Sequence, residues 1–177
     1  MTIALIIIAV VIAAIAVILV LAAAKPDTFR VARAATIQAP PAKIFPAIND
    51  FRKWTSWSPY ENKDPAMKRT ISDPASGKGA TYAWEGNKNI GIGSMEITES
   101  LAPSKVALKL DFTKPFEAHN TVVFSLEPQG ESTLVTWAMQ GPVPFIAKIV
   151  HVVFNMDKMV GKDFEIGLAN LKALSER

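Results

Sequence analysis

An uncharged apolar run at the start of the chain limits what its first segment can fold into. Residues 2–24 contain no charged residue, no proline and no glycine, and they are almost entirely Ile, Val, Leu and Ala. A helix of this run would be about 34 Å long, against a bilayer hydrocarbon core of about 30 Å. The sequence therefore predicts an N-terminal transmembrane anchor over residues 1–25, followed by a linker at residues 26–28.

The competing interpretation of this run is a cleaved signal peptide, for which Ala22, Ala23 and Ala24 would offer a cleavage site. No Lys or Arg precedes the run, however, and the run exceeds the usual apolar region of about 7 to 15 residues. The basic residues Lys25, Arg30 and Arg33 follow the span, so the positive-inside rule favours a single-pass protein of the cell membrane with a cytoplasmic domain. A periplasmic or otherwise exported domain is the alternative.

Composition excludes several classes of function for the rest of the chain. Of the 177 residues, 50% are hydrophobic and 20% charged, which is typical of a folding sequence. The chain has no cysteine and two histidines, which excludes thiolate chemistry and leaves little for a metal site. The net charge is +3, without the dense basic cluster of a nucleic-acid binder. We therefore expect no metal, no cofactor and no nucleic-acid partner, and the oligomeric state is open.

Hydrophobic periodicity predicts one domain over residues 29–177. Residues 29–37 alternate as a strand, Pro41 fits the first turn of a short helix over residues 41–49, and a second short helix or turn carries Phe51, Trp54 and Trp57. Six antiparallel strands are predicted over residues 67–72, 80–85, 93–101, 105–113, 117–127 and 132–140.

From Gly141 onward the period changes to 3.6 residues, which predicts one long helix ending near Ser175, with possible bends at Gly161 and Gly167. One strand, two short helices, six strands and a long helix define an α+β chain. A curved antiparallel sheet wrapped around the C-terminal helix satisfies this order.

Several local motifs carry a resemblance that covers residues 29–177. They are Ala39-Pro40-Pro41, Trp54, Trp57-Ser58-Pro59-Tyr60, Asp64-Pro65, Gly77-Lys78-Gly79, Trp84-Glu85-Gly86-Asn87, Gly91-Ile92-Gly93, Gly161-Lys162-Asp163-Phe164-Glu165, Gly167-Leu168 and Leu171-Lys172. In this order the chain resembles the START-like (SRPBCC) superfamily, specifically its membrane-anchored bacterial polyketide cyclase/dehydrase-type proteins. The resemblance implies a helix-grip fold. It leaves the chemistry open, because carriers, cyclases and stress-response regulators share this group. Tyr60 stands where similar proteins often carry a tryptophan.

A helix-grip fold has a cavity between the concave sheet face and the long helix. The apolar alternation predicts its lining as Trp84, Met95, Ile97, Leu110, Phe112, Phe124, Trp137, Met139, Met156, Val160 and Phe164. Aromatic and methionine side chains suit an adaptable apolar ligand. The alternative is that these side chains fill a solid core.

Two further groups of residues invite a functional interpretation. Trp54, Trp57 and Tyr60 are so close in sequence that they form either a packing cap over one end of the sheet or a gate to the cavity. Basic side chains on one stripe of the long helix form either a solvated face or a contact with anionic lipid headgroups. The stripe consists of Lys148, His151, Lys158 and Lys162.

Catalytic templates find no match: the chain has no Gly-x-Ser-x-Gly elbow, no His-Glu-x-x-His and no phosphate loop. Tyr82, Glu85 and His119 are the remaining acid–base candidates, and no catalytic residue is assigned. We therefore expect a membrane-anchored protein that binds a lipid-like or other hydrophobic small molecule. The alternatives are a cyclase or dehydratase using the same cavity, and a membrane-held interaction module without a ligand.

Overall fold

The structure is a computed structural model that describes residues 2–153 and 155–177, apart from the side chains of residues 151 and 153. Its first element is helix α1 (Thr2–Ala23), which carries no acidic or basic residue and is almost entirely exposed. The helix is long and apolar enough to cross a membrane, a property that an N-terminal signal sequence shares.

Seven strands form one antiparallel sheet in the spatial order β1-β7-β6-β5-β4-β3-β2. They are β1 (Thr28–Ile37), β2 (Lys68–Ile71), β3 (Thr81–Glu85), β4 (Ile92–Leu101), β5 (Lys105–Lys114), β6 (Ala118–Gln129) and β7 (Ser132–Pro142). The first and last strands pair along their whole length, from Thr28 opposite Pro142 to Ile37 opposite Thr133. The seven predicted strands and the antiparallel sheet are confirmed, because each alternating run has one buried face to pack.

Short helices close one end of the sheet. They are α2 (Pro41–Asn49), a 3-10 helix (Phe51–Ser56) and α3 (Pro59–Lys63). Both α2 and α3 begin with proline, whose missing N–H costs nothing in the first helical turn. The indole N–H groups of Trp54 and Trp57 donate to the carbonyl oxygens of Ile48 and Ala47, each at 2.9 Å, and fix the 3-10 helix on α2.

The C-terminal helical segment differs from its prediction. Instead of one helix, the chain forms α4 (Phe145–Val153) and α5 (Met156–Ser175), separated by extended backbone at Asn155. The Asn155 side chain accepts a hydrogen bond from the Lys158 backbone N–H at 3.0 Å and so caps α5. The break precedes both glycines that were expected to bend the helix.

The helix-grip prediction is confirmed in its main feature, a curved sheet against a long helix. Helix α5 packs chiefly on β1, with smaller contacts to α2, α3 and β7, whereas α4 packs on α1. The linker and the start of β1 lie beside the end of β7. The register across the sheet puts the β3–β4 and β5–β6 hairpins at this same end. Helices α1 and α4 and these two hairpins therefore share one end of the sheet. We call this the anchor end, after the transmembrane anchor that the sequence predicts for α1.

Candidate ligand-binding site

The face of the sheet that α5 covers is the inner face, and the strand register arranges its residues in cross-strand rows. Counted from the anchor end, the rim row is Trp84, Gly93, Phe112 and Ala118, and the second row is Tyr82, Met95, Leu110 and Asn120. The third row is Ile97, Leu108, Val122, Met139 and Val31, and the fourth row is Val106, Phe124, Trp137 and Arg33. All eight predicted cavity residues of the sheet thus share one face.

The fourth row is packed solid. The Phe164 ring of α5 stacks on Trp137 with ring centroids 4.1 Å apart and an interplanar angle of 11°. Phe124 lies 5.0 Å from Trp137, and Trp57 lies 5.6 Å from it on another side. Because these rings are almost fully buried against one another, this half of the predicted lining forms a core.

Burial of the inner face decreases toward the anchor end. Val106 and Phe124 in the fourth row are 0% exposed, and Met139 in the third row is 8% exposed. Met95 in the second row and Phe112 in the rim row are only half-buried, as are Met156 and Val160 on α5. Tyr82, Leu110 and Asn120 in the second row and Trp84 in the rim row are at most 9% exposed, so the inner face near the anchor end is incompletely covered chiefly at Met95, Phe112 and Ala118.

Two polar side chains lie in the second row of the inner face: Tyr82, whose hydroxyl donates to Glu61, and Asn120. Asn120 is 8% exposed, and within residues 2–153 and 155–177 its side-chain amide makes no hydrogen bond. Its Oδ1 lies over Gly141, where any Cβ would collide with it. An amide held in this way, between Leu110 and Gly141 on the neighbouring strands, can donate to or accept from a polar group of an otherwise apolar molecule.

A cleft of about 430 Å³ opens at the anchor end, between the linker, the start of β1 and the α4–α5 junction. Phe29, Val143, Val152 and Met156 contribute its apolar wall, and charged residues including Lys25 and Arg30 contribute the polar part. Phe29 is opposite Gly141 and so continues the second row beyond Asn120. Of the predicted cavity lining, Met156 borders this cleft, whereas the predicted sheet residues do not.

The three residues considered as a gate lie in two environments. Trp54 and Trp57 are 4% and 1% exposed and pack in the core, which favours the packing-cap interpretation. Tyr60 packs edge-on against Trp137 at 6.5 Å and remains partly exposed. Burial, with Asp163 nearby, raises the pKa of the Tyr60 phenol above its usual range, so the group stays neutral at physiological pH.

The predicted basic stripe does not form as one surface, because the break at Asn155 separates Lys148 from Lys158 and Lys162. Lys148 is turned inward, with its side chain 9% exposed and its Nζ 2.6 Å from Oδ1 of Asp27 in the linker. Lys158 and Lys162 are exposed on α5. The side chain of His151 lies outside the described residues.

Arg33 lies on the inner face opposite Trp137, and its contact with α5 was not predicted from the sequence. Its guanidinium donates to Asp157 Oδ1 and Oδ2, to the Asp157 carbonyl, to Glu165 Oε1 at 2.8 Å and to the Ala32 carbonyl. These bonds engage all five N–H donors and raise the pKa of Arg33 well above its usual range, Asp157 contributing most. Gly161 is required where α5 crosses this guanidinium, since a Cβ there would collide with it.

A second missed contact is a polar network beneath β3. The Tyr82 hydroxyl donates to Glu61 Oε1 at 2.7 Å, and Arg69 Nε donates to Glu61 Oε2 at 2.7 Å. Burial, followed by the Glu61 carboxylate, raises the pKa of Tyr82, so the phenol keeps its proton. A signal was present in the sequence, because Glu61 is an acidic residue directly after the aromatic 54–60 segment.

The three acid–base candidates are not brought together. Tyr82 lies on the inner face, whereas Glu85 and His119 lie on exposed parts of the chain and three strand spacings separate β3 from β6. Glu85 pairs with Lys68, and His119 Nδ1 lies 2.7 Å from Asp111 Oδ1. Asp111, and to a smaller extent Glu117, raises the pKa of His119. No group of three or more His, Asp or Glu side chains suited to a metal ion occurs within the part of the chain described here.

Comparison with known proteins identifies the fold and a family description. A family model described as polyketide cyclase / dehydrase and lipid transport matches residues 28–176. No curated protein matches the chain.

Solved structures are similar in fold. The Aha1 dimer from Colwellia psychrerythraea aligns with a TM-score of 0.60 and 17% identity, over 84% of this chain and 96% of that chain. Protein Ms6760 from Mycobacterium smegmatis aligns with a TM-score of 0.56 and 20% identity, over 85% and 92%. The di-domain ARO/CYC StfQ from the steffimycin biosynthetic pathway aligns with a TM-score of 0.62 and 8% identity, over 84% and 51%. At these identities the likeness concerns the fold alone.

Proposed function

The chain belongs to the polyketide cyclase / dehydrase and lipid transport family, and from that membership we propose that it binds a lipid-like or other hydrophobic small molecule on the open half of its inner face. The observation that carries the proposal is the partial exposure of two large apolar side chains, Met95 and Phe112, on the inner face near the anchor end.

The chemistry of the open half favours an apolar ligand with one polar group. Met95, Phe112, Met156 and Val160 provide flexible or aromatic apolar surface, and burial of such surface contributes about 25 cal/mol per Å² to binding. Asn120 provides the polar contact. Binding and sequestration beside the bilayer require no proton transfer, which fits the separation of Tyr82 from the other acid–base candidates.

A matched pair of substitutions tests this proposal. Ala118 lies in the rim row of the inner face, whereas Ala138, also half-buried, lies on the opposite face of the same sheet. A tryptophan at residue 118 would fill the opening, and a tryptophan at residue 138 would leave it free.

The experiment uses the full chain in lipid nanodiscs with a photoactivatable fatty acid as the probe, followed by peptide mapping of the crosslinks. We expect crosslinks on β4 and β5 near Met95 and Phe112 in the wild type and in A138W, and their loss in A118W. Crosslinks confined to α1, or crosslinks to β4 and β5 that persist in A118W, would contradict the proposal.

A further inference from the structure

Helix α4 has its apolar side outward. A surface helix of a water-soluble domain normally exposes polar residues and buries apolar ones. In α4 the exposed side chains are Phe145 (48%), Ile146 (75%) and Val150 (43%). The charged residue of this helix, Lys148, is turned inward to Asp27. This reversal indicates that the outer side of α4 faces an apolar environment instead of water.

The position of α4 identifies the medium that it meets. The helix packs on the C-terminal part of α1, where Ala22 is fully buried although the rest of α1 is largely exposed. The outward side of α4 is therefore continuous with the apolar surface of a helix long enough to cross a membrane. A basic residue, Lys25, follows that helix directly, at the level where lipid headgroups would lie.

Another exposed apolar side chain, outside α4, lies at the same end of the sheet. Phe116, at the tip of the β5–β6 hairpin, is 75% exposed. The β3–β4 hairpin contacts this tip, because Gly91 lies against the Lys114 backbone. The exposed side chains of Lys88 and Lys114 flank the tip, beside the exposed acid Glu117. Aromatic tips with basic neighbours are suited to the boundary between lipid headgroups and acyl chains.

We propose that Phe116, Phe145, Ile146 and Val150 form one membrane-docking surface that inserts into the bilayer interface beside α1. The docking surface is argued independently of the proposed function, and only its consequence rests on that function. Docking at the anchor end would place the opening of the inner face against the lipid. The domain would then be held at the membrane at two places in addition to its span, instead of moving freely on its short linker.

The natural absence of cysteine allows a direct depth measurement. Single nitroxide labels are attached to I146C and F116C in the full chain, reconstituted in vesicles of phosphatidylcholine and phosphatidylglycerol. Collision with oxygen, which concentrates in the acyl region, is compared with collision with a water-soluble nickel complex. L101C is the matched control, because Leu101 is also apolar and is 51% exposed at the opposite end of the sheet. V10C reports the depth of α1.

The proposal predicts that I146C and F116C are shielded several-fold from the nickel complex relative to L101C, with V10C deepest. Equal access of nickel to residues 101, 116 and 146 would overturn it. So would spin–spin broadening at residue 146 that disappears on dilution with unlabelled chain, since a second copy would then cover the surface. Neither result depends on a ligand, so failure here is distinguishable from failure of the fatty-acid crosslinking.

Discussion

At the scale of single residues, the indoles of the aromatic core differ in hydrogen bonding. Trp57 donates to the Ala47 carbonyl, whereas Nε1 of Trp137 is buried without a hydrogen-bond partner in the described parts of the chain. Both side chains are almost completely buried in the same cluster. The same substitution at the two positions therefore isolates the contribution of one hydrogen bond.

We expect W57F to destabilise the fold by about 1 kcal/mol more than W137F, because only W57F leaves a buried carbonyl without its donor. Chemical denaturation of the full chain in detergent micelles, followed by circular dichroism, measures the difference. An equal loss in the two variants would show that packing alone decides the cost.

The Arg33 contacts predict a second residue-scale effect. R33M removes four hydrogen bonds from β1 to α5 and a fifth to the Ala32 carbonyl, and it is expected to lower the unfolding free energy more than a loss of charge on the same strand does. R30M is the matched control, because Arg30 lies on the same strand with an exposed side chain, and its loss should stay within about 0.5 kcal/mol. Similar losses of unfolding free energy in both variants would show that the Arg33 hydrogen bonds do not hold α5 on β1.

His119 predicts a pH dependence. Its pKa is raised in the folded chain by Asp111 and then Glu117, so the protonated ring stabilises the fold fully below the unfolded value of about 6.5 and loses that effect as pH rises through the folded pKa. The stability difference between the wild type and H119Q should therefore be larger near pH 5.5 than near pH 9. Denaturation at both pH values checks this, and a difference independent of pH would contradict it.

At the scale of elements, the strands were predictable and the C-terminal helical segment was not. The alternation of β5, β6 and β7 follows from one buried face per strand, and each of the three strands was predicted nearly to its ends. The helical period continues across Asn155, so the pattern gave no sign of the break. The prediction of Lys148 on an exposed basic stripe was wrong, because its orientation depends on α4 meeting the linker at Asp27.

The cap of α5 provides a test at this scale. N155A removes the acceptor for the Lys158 backbone N–H and should cost about 1 kcal/mol, whereas N155D keeps an acceptor and should cost little. Unfolding free energies of the two variants in the same micelles compare them. Equal destabilisation by Ala and Asp would mean that the side chain does not cap the helix.

At the scale of the whole molecule, part of the predicted cavity lining is packed core, and only the remainder forms the candidate site. The sequence determined which residues face inward, because alternation fixes the faces of each strand. It could not determine which of them are packed shut, since that depends on where α5 and the short helices cross the sheet. Phe124, Trp137 and Phe164 thus became core, while Met95 and Phe112 stayed half-open toward the anchor.

The proposed role of the open half is to hold an apolar molecule beside the bilayer. Native mass spectrometry of the full chain released from detergent micelles, with organic extraction of whatever it carries, tests this role without a chosen probe. We expect a reproducible apolar adduct on the wild type and on A138W, and an empty A118W. An empty wild-type chain, or an adduct that survives in A118W, would contradict it.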